Sequence, residues 1–173
     1  MIEPPHRVTT YPESAFEMRM SAQFGHACRL LWAISGKKPV LLGDVSRRLT
    51  APIRLNQIEF LFNSHGAPIA FATWGFLTES CGERLTADPA YVLHLSEWNE
   101  GDQLWIIDIV AVAGQVQNLV RKLRNRRLSD VTRAYGARVR GGLGRVRPTS
   151  VKLRRREPDH AVSVGEMEAD ETA

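Results

Sequence analysis

A chain of 173 residues, 43% of them hydrophobic, is long enough for one domain with a buried core, and no stretch nears the roughly 18 consecutive apolar residues of a membrane span. The opening MIEPPHRVTTYPES lacks the apolar run of a secretory signal, and Cys28 and Cys81, with no CxxC spacing, read as free structural thiols of a reduced, cytoplasmic compartment. Formal charge is only +4, yet Lys/Arg against Asp/Glu runs 9 to 12 in residues 1–120, 14 to 1 in 121–156 and 0 to 6 in 157–173. A basic block followed by an acidic tail implies an acidic partner.

In chain order, residues 1–12 are Pro-rich and read as a flexible arm, with one domain over 13–156. Ser14 is placed to cap a helix, with Glu17 as its capping-box partner, and Phe24, Ala27, Leu31 and Ile34 follow at helical spacing up to Gly36. Leu41–Leu49 predicts a second helix that stops before Pro52. Ile58–Phe62 and Pro68–Trp74 read as a hairpin around Ser64-His65-Gly66, and Thr78–Leu85 as a short helix ended by Ala87-Asp88-Pro89.

The stretch EWNEGDQLWIIDIVAVAG, residues 97–114, organises the rest. After the Gly101-Asp102 turn, Leu104–Val112 is β-branched and aromatic and predicts a strand buried on both faces. Asp108 is its one charge, and a buried carboxylate needs a partner or a task. Gly114 closes the strand, and residues 115–127 read as a helix with Leu119, Leu123 and Val116 inward and Arg121, Lys122, Arg124 and Arg126 outward. Strand candidates at 131–139 and 145–153 flank Gly141-Gly142, and residues 157–173 read as a disordered acidic tail. This order predicts an α+β domain.

Four stretches resemble the RTX toxin-activating lysine acyltransferases. They are Gly25-His26 through Leu31-Trp32-Ala33, Pro52-Ile53-Arg54-Leu55-Asn56-Gln57, Pro68-Ile69-Ala70-Phe71-Ala72-Thr73-Trp74, and Trp98-Asn99-Glu100-Gly101-Asp102 through Leu104-Trp105-Ile106-Ile107-Asp108. The family patterns are LGxxxWLWxxSPxHR, PxIxxxQY, PVAYCSWA and WxxGDRxWxIDWIAPFG, met here in order over roughly residues 24–127. The resemblance implies a GNAT-like acyltransferase domain with a mostly antiparallel mixed sheet and flanking helices. It further implies transfer of a fatty acyl group from acyl carrier protein, as a phosphopantetheine thioester, to internal lysines of an RTX protoxin. No tightly bound cofactor and no metal enter that scheme, and a homodimer is suggested. The family's essential Asp carries over onto Asp108 and its Ser onto Ser35, while its His falls at Lys38 or Lys37 according to the anchor used.

Amide formation from a thioester requires a neutral amine, a base and donors for the oxyanion. Asp108 is the candidate base or orienting group; the alternative is a structural carboxylate binding backbone N–H groups. His26 is the nearest histidine, about 16 Å along a helix from the expected place, and Lys38 is a further candidate in that segment. His65 reads as a solvated turn residue, and His94, after an apolar pair, as one within reach of the site. Gly114 and the helix start after it, with Arg121 and Lys122, are the candidate phosphate-binding group. Two other readings stand beside the enzyme: a catalytically silent relative that binds its partner through the basic block, and a nucleic-acid-binding protein. The latter has no zinc spacing, helix-turn-helix signal or aromatic RNP motif behind it.

Overall fold

The computed structural model describes residues 14–36, 39–88, 90–129, 131–139 and 146–152. The arm at 1–12, the tail at 157–173, Lys37, Lys38 and Gly141-Gly142 lie outside the described residues. Helices α1 (Ala15–Ile34) and α2 (Leu42–Arg54) precede strands β1 (Ile58–Phe62) and β2 (Pro68–Leu77). Helix α3 (Glu79–Ala87) and a 3-10 turn (Leu95–Asn99) lead into β3 (Gln103–Ala111). Helix α4 (Val116–Arg126) and strands β4 (Arg133–Val139) and β5 (Val146–Lys152) follow. The sheet order is β1-β2-β3-β4-β5, antiparallel throughout except for a parallel β3–β4 pair, so β3 is central. This is the α+β class with a mostly antiparallel mixed sheet and flanking helices that the sequence predicts.

The two faces of the sheet have different covers. Ile58, Phe60 and Phe71 pack against Ala27 and Leu30 of α1 and Val45, Leu49 and Ile53 of α2. Ala70, Ala72 and Trp74 meet Leu119 and Leu123 of α4 on the other face. A third cluster, Leu77, Cys81, Leu93, Trp98 and Trp105, closes the end of the sheet near α3.

Several local expectations shift. Ser14 caps α1 by accepting from Phe16 N–H at 3.2 Å, the second helical amide rather than the third, so it does not close a box with Glu17. The buried stripe of α1 is Ala27 and Leu30, whereas Ile34 is 43% exposed. Helix α2 runs through Pro52 to Arg54. Proline in this last turn removes one backbone bond, and the burial of Pro52 and Ile53 against the core offsets it. Strand β3 is buried on both faces only at Leu104 and Trp105; Ile109 is 45% exposed. Val116 is exposed as well, so Leu119 and Leu123 alone form the inner stripe of α4.

Two glycines permit close approaches. A Cβ on Gly101 would lie 2.0 Å from the Leu77 carbonyl, and one on Gly82 would lie 2.3 Å from the Trp105 ring. The first explains the glycine of W-x-x-G-D: Gly101 N–H donates to the Phe76 carbonyl at 3.0 Å, which seats the loop on the end of β2.

Candidate active site

The register between β2 and β3 is interrupted where it matters. Thr73 opposes Asp108 and Trp74 opposes Ile106, which leaves Ile107 as an extra residue on β3. Such a bulge re-aims the side chains that follow it. Ile107 packs with the cluster around Trp98 and Trp105, while Asp108, the next residue, faces the α1/α2 side. The Asp108 backbone N–H donates to the fully buried hydroxyl of Thr73 at 3.1 Å, which pins the bulge.

Asp108 opens into a cavity of about 250 Å³ between the end of α1, the start of α2 and β3. Its apolar wall is Leu31, Val45, Leu49, Phe71 and Val110, and its rim is Pro39, Val40, Leu41 and Asp44. At the mouth, Arg48 of α2 donates from Nη2 to Asp108 Oδ1. The carboxylate is 11% exposed and the Arg48 side chain 60%, so the acid is sheltered and its cation is wet. A guanidinium stays charged at any working pH and supplies a fork of donors. Arg48 thus gives Asp108 its counter-ion and leaves further N–H groups at the cavity mouth.

Among the described residues, one edge of β3 is open beside this site. β3 pairs with β4 only at Trp105–Tyr135 and Ile106–Gly136, while β4 goes on with β5 as far as Val139. Among the described residues, the backbone from Ile107 to Ala111 has no ladder partner on that side, and its polar groups are free for solvent or a ligand. The strand ends at Ala111 rather than at Gly114, which sits in the turn after it with a φ of +79° that suits glycine, and α4 begins without a side-chain cap or an acid in its first turn. Its first amides are therefore available to an anion.

The candidate residues divide between the two faces. Asp108 lies in the cavity wall, and Gly114 at the turn beyond it. Ser35 ends α1, a turn past Leu31, with its hydroxyl donating back to the Trp32 carbonyl at 2.9 Å. His26 is edge-on to Phe60 and Phe62 of β1, with ring centroids 5.9 and 5.0 Å apart. β1 is two strands from β3, about 10 Å at the usual strand spacing, so His26 and Asp108 are not brought together. Arg121 is exposed on α4. Lys122 turns inward rather than outward: its Nζ donates to the Phe60 carbonyl at 2.5 Å and meets Glu59 Oε1 at 3.0 Å, on the face away from the cavity. Lys38 lies outside the described residues. His94 caps the 3-10 turn and His65 is exposed in the hairpin, so neither lines the cavity. Burial pushes both cysteine thiols up from their ordinary range, away from nucleophilic use. Arg48 and Thr73 were not singled out by the sequence. The signal for Arg48 is its place three residues after Val45 and one before Leu49, on the flank of the buried stripe of α2.

A sequence model of HlyC, the RTX toxin acyltransferase family, matches residues 16–146, well over half of the chain. The chain belongs to the RTX toxin acyltransferase family. It is similar to the lysine-acyltransferase RtxC of Vibrio cholerae serotype O1, with 31% identity over 80 residues, 46% of this chain and 52% of that one. It is 35% identical over 104 residues to the RTX-II toxin-activating lysine-acyltransferase ApxIIC of Actinobacillus pleuropneumoniae, covering 60% of this chain and 64% of the relative. With the protein-lysine palmitoyltransferase CyaC of Bordetella bronchiseptica the identity is 31% over 105 residues, 60% of this chain and 56% of that one. The chain thus spans only about half to two thirds of the length of these relatives. Among solved structures, one described as histone acetyltransferase HPA2 and related acetyltransferase from Corynebacterium glutamicum covers 73% of each chain at 13% identity and a TM-score of 0.32.

Within this member of the family, two of the motifs meet beside the bulge. Gln57 of the second motif donates from Nε2 to Asn99 Oδ1 of the W-x-x-G-D segment at 2.5 Å, and the Gln57 carbonyl accepts from Trp74 N–H at 3.2 Å. The motif residues thus hold the β1–β2–β3 junction from which Asp108 projects. Among the described residues no helix is long and apolar enough to cross a membrane.

Proposed function

We propose that this chain is a cytoplasmic protein-lysine acyltransferase with a GNAT-like site. It moves a fatty acyl group from acyl carrier protein to internal lysines of an RTX-type protoxin. The observation that carries this reading is the bulge that turns Asp108 into an apolar cavity with Arg48 at its mouth. The lysine Nζ bonds to the thioester carbonyl carbon, and the C–S bond then breaks. The proton lost by the amine goes to the Asp108 carboxylate and on to the departing sulfur, so the products are an amide and a thiol. Arg48 faces the carbonyl oxygen with donors where negative charge develops. The carrier's pantetheine amides pair with the open edge of β3, and its phosphate meets the amides at the start of α4 beyond Gly114. The basic residues of 121–156 attract the acidic carrier.

The test is incubation with acyl carrier protein loaded with labelled acyl chains and a lysine-bearing glycine-rich acceptor, followed by mass spectrometry. Label on acceptor lysines is the expected result. One observation favours a second reading, a relative that binds but does not transfer: among the described residues no histidine lines the cavity. Carrier binding without label on lysine would establish that reading. Salt-sensitive retention on nucleic acid without carrier binding would overturn both.

A further inference from the structure

We infer that residues 157–173 of this chain dock on the outer face of α4 and compete there with the acidic carrier. This rests on the acyltransferase reading and adds a regulator of carrier binding to it. The inner side of α4 is Leu119 and Leu123. Its outer side presents Val116 and Val120, 46% and 40% exposed and one turn apart, with Arg121 exposed and Arg124 half-buried next to them. Lys122, Arg126 and Arg127 are engaged by Glu59, whereas Arg121 and Arg124 pair with no carboxylate among the described residues. An apolar pair rimmed by unpaired cations suits an acidic segment that carries a few apolar residues of its own.

Residues 157–173 have that chemistry: six acids and no Lys or Arg, with Val162, Val164 and Met167 among them. They also start within reach. Lys152, the last residue of β5, opposes Arg133, the first of β4, which follows α4 by a short loop. The chain therefore leaves the sheet at the end where α4 finishes. β5 lies three strands from β2, about 15 Å at the usual spacing, and the ~12 residues from Lys152 to Val164 span up to ~40 Å. Tethering holds such a segment at an effective concentration in the mM range, so contacts too weak for a free peptide suffice. An acidic partner then reaches Arg121 and Arg124 only as the segment leaves.

The experiment compares the full chain with a full-length variant carrying Glu157→Gln, Asp159→Asn, Glu166→Gln, Glu168→Gln, Asp170→Asn and Glu171→Gln. The amide NMR resonances of Val116–Arg126 should differ between the two, and about 1 M salt should move those of the unmodified chain toward the variant's. Holo acyl carrier protein, titrated by calorimetry at low salt, should bind the variant about tenfold more tightly, because two or three exposed ion pairs no longer have to be broken. With Arg121→Gln and Arg124→Gln in both chains, neutralising the acids should no longer shift the α4 resonances. Resonances that do not respond to the acids overturn the inference. So do resonances that respond as strongly without the two arginines, which would place the acids on the cations of 133–156. Equal carrier affinity in the two chains also overturns it and leaves the carrier reading in place. Resonances that respond as expected, with no carrier bound by either chain, sink the carrier reading and leave the docked segment standing.

Discussion

Asp108→Asn separates a catalytic acid from a structural one. Asn keeps the shape of the side chain and still accepts from Arg48, but it cannot hold a proton or a negative charge. The cost to the fold should be small because the partner is wet. With Arg48 60% exposed, water rehydrates the guanidinium, and an ion pair of this kind contributes about 0–1 kcal/mol. For a chain of this size that is a fall in Tm of no more than about 4 °C. Loss of one acid–base contribution costs ~10²–10⁴ in rate, or about 3–5 kcal/mol in barrier. The catalytic effect thus exceeds the stability effect several-fold, and the two can be told apart. The assay is the transfer rate per folded molecule, read by mass spectrometry, alongside thermal unfolding. His26→Ala is the control: its ring packs on Phe60 and Phe62, so about 1 kcal/mol of stability and little activity should be lost. A variant Asp108→Asn that transfers at the full rate would refute the reasoning, most clearly with a Tm lowered by well over 4 °C.

Other perturbations test neighbouring parts. Arg48→Ala should lower kcat by ~10²-fold with little change in the KM for carrier, as expected for a lost oxyanion donor, and Arg48→Lys should recover part of it; faster transfer would mean that Arg48 obstructs Asp108. Glu59 is 8% exposed; burial alone would push its carboxyl up, but hydrogen bonds from Lys122 and Arg127 outweigh that and hold it below the ordinary range. Its contribution, about 1–3 kcal/mol, should therefore be present above pH ~4.3 and be lost as pH falls through the lower folded value. Glu59→Gln should flatten acid denaturation in that window, and an unchanged profile would remove Glu59 from the account. Gly101→Ala should cost at least ~3 kcal/mol, seen in urea unfolding, because its Cβ would overlap the Leu77 carbonyl; a cost under ~1 kcal/mol would show that the loop is free to move.

Local signals in the chain reach far into this fold. Turn residues and β-branched runs place the β1–β2 hairpin and β3 correctly, because strand pairing there is between neighbours in sequence. Ser14 and Thr78 mark helix starts that do form. What escaped depends on distance. The burial of β3 is set by α4 and β4, so a uniformly apolar run gives no hint that Ile109 is exposed. Lys122 reads as a surface cation on α4 until Glu59, 63 residues earlier in the chain, is seen opposite it. Of the candidate residues among those described, only Asp108 lines the cavity, and the partner that completes it is an ordinary-looking arginine on α2. Pro52 was misread because a proline stop is a rule for helix interiors, and a last turn has little left to lose.

The bulge and the open edge share one cause. β3 stops pairing with β4 after Ile106, and Ile107 is the residue without a partner on β2. At that step the strand is held from neither side by a regular ladder, so it can twist more sharply than the sheet around it. Were Ile107 in register, every side chain after it would change face, and Asp108 would point toward α4 rather than the cavity. Val110, two residues on, would leave the cavity wall in the same movement. The opposite face carries the Glu59 cluster with Lys122 and Arg127, which ties α4 to β1. One extra residue therefore sets the direction of the acid, the lining of the cavity and the place where the sheet parts. The family's I-D pair, here Ile107-Asp108, is one structural unit, in which the isoleucine anchors the bulge and the aspartate uses it.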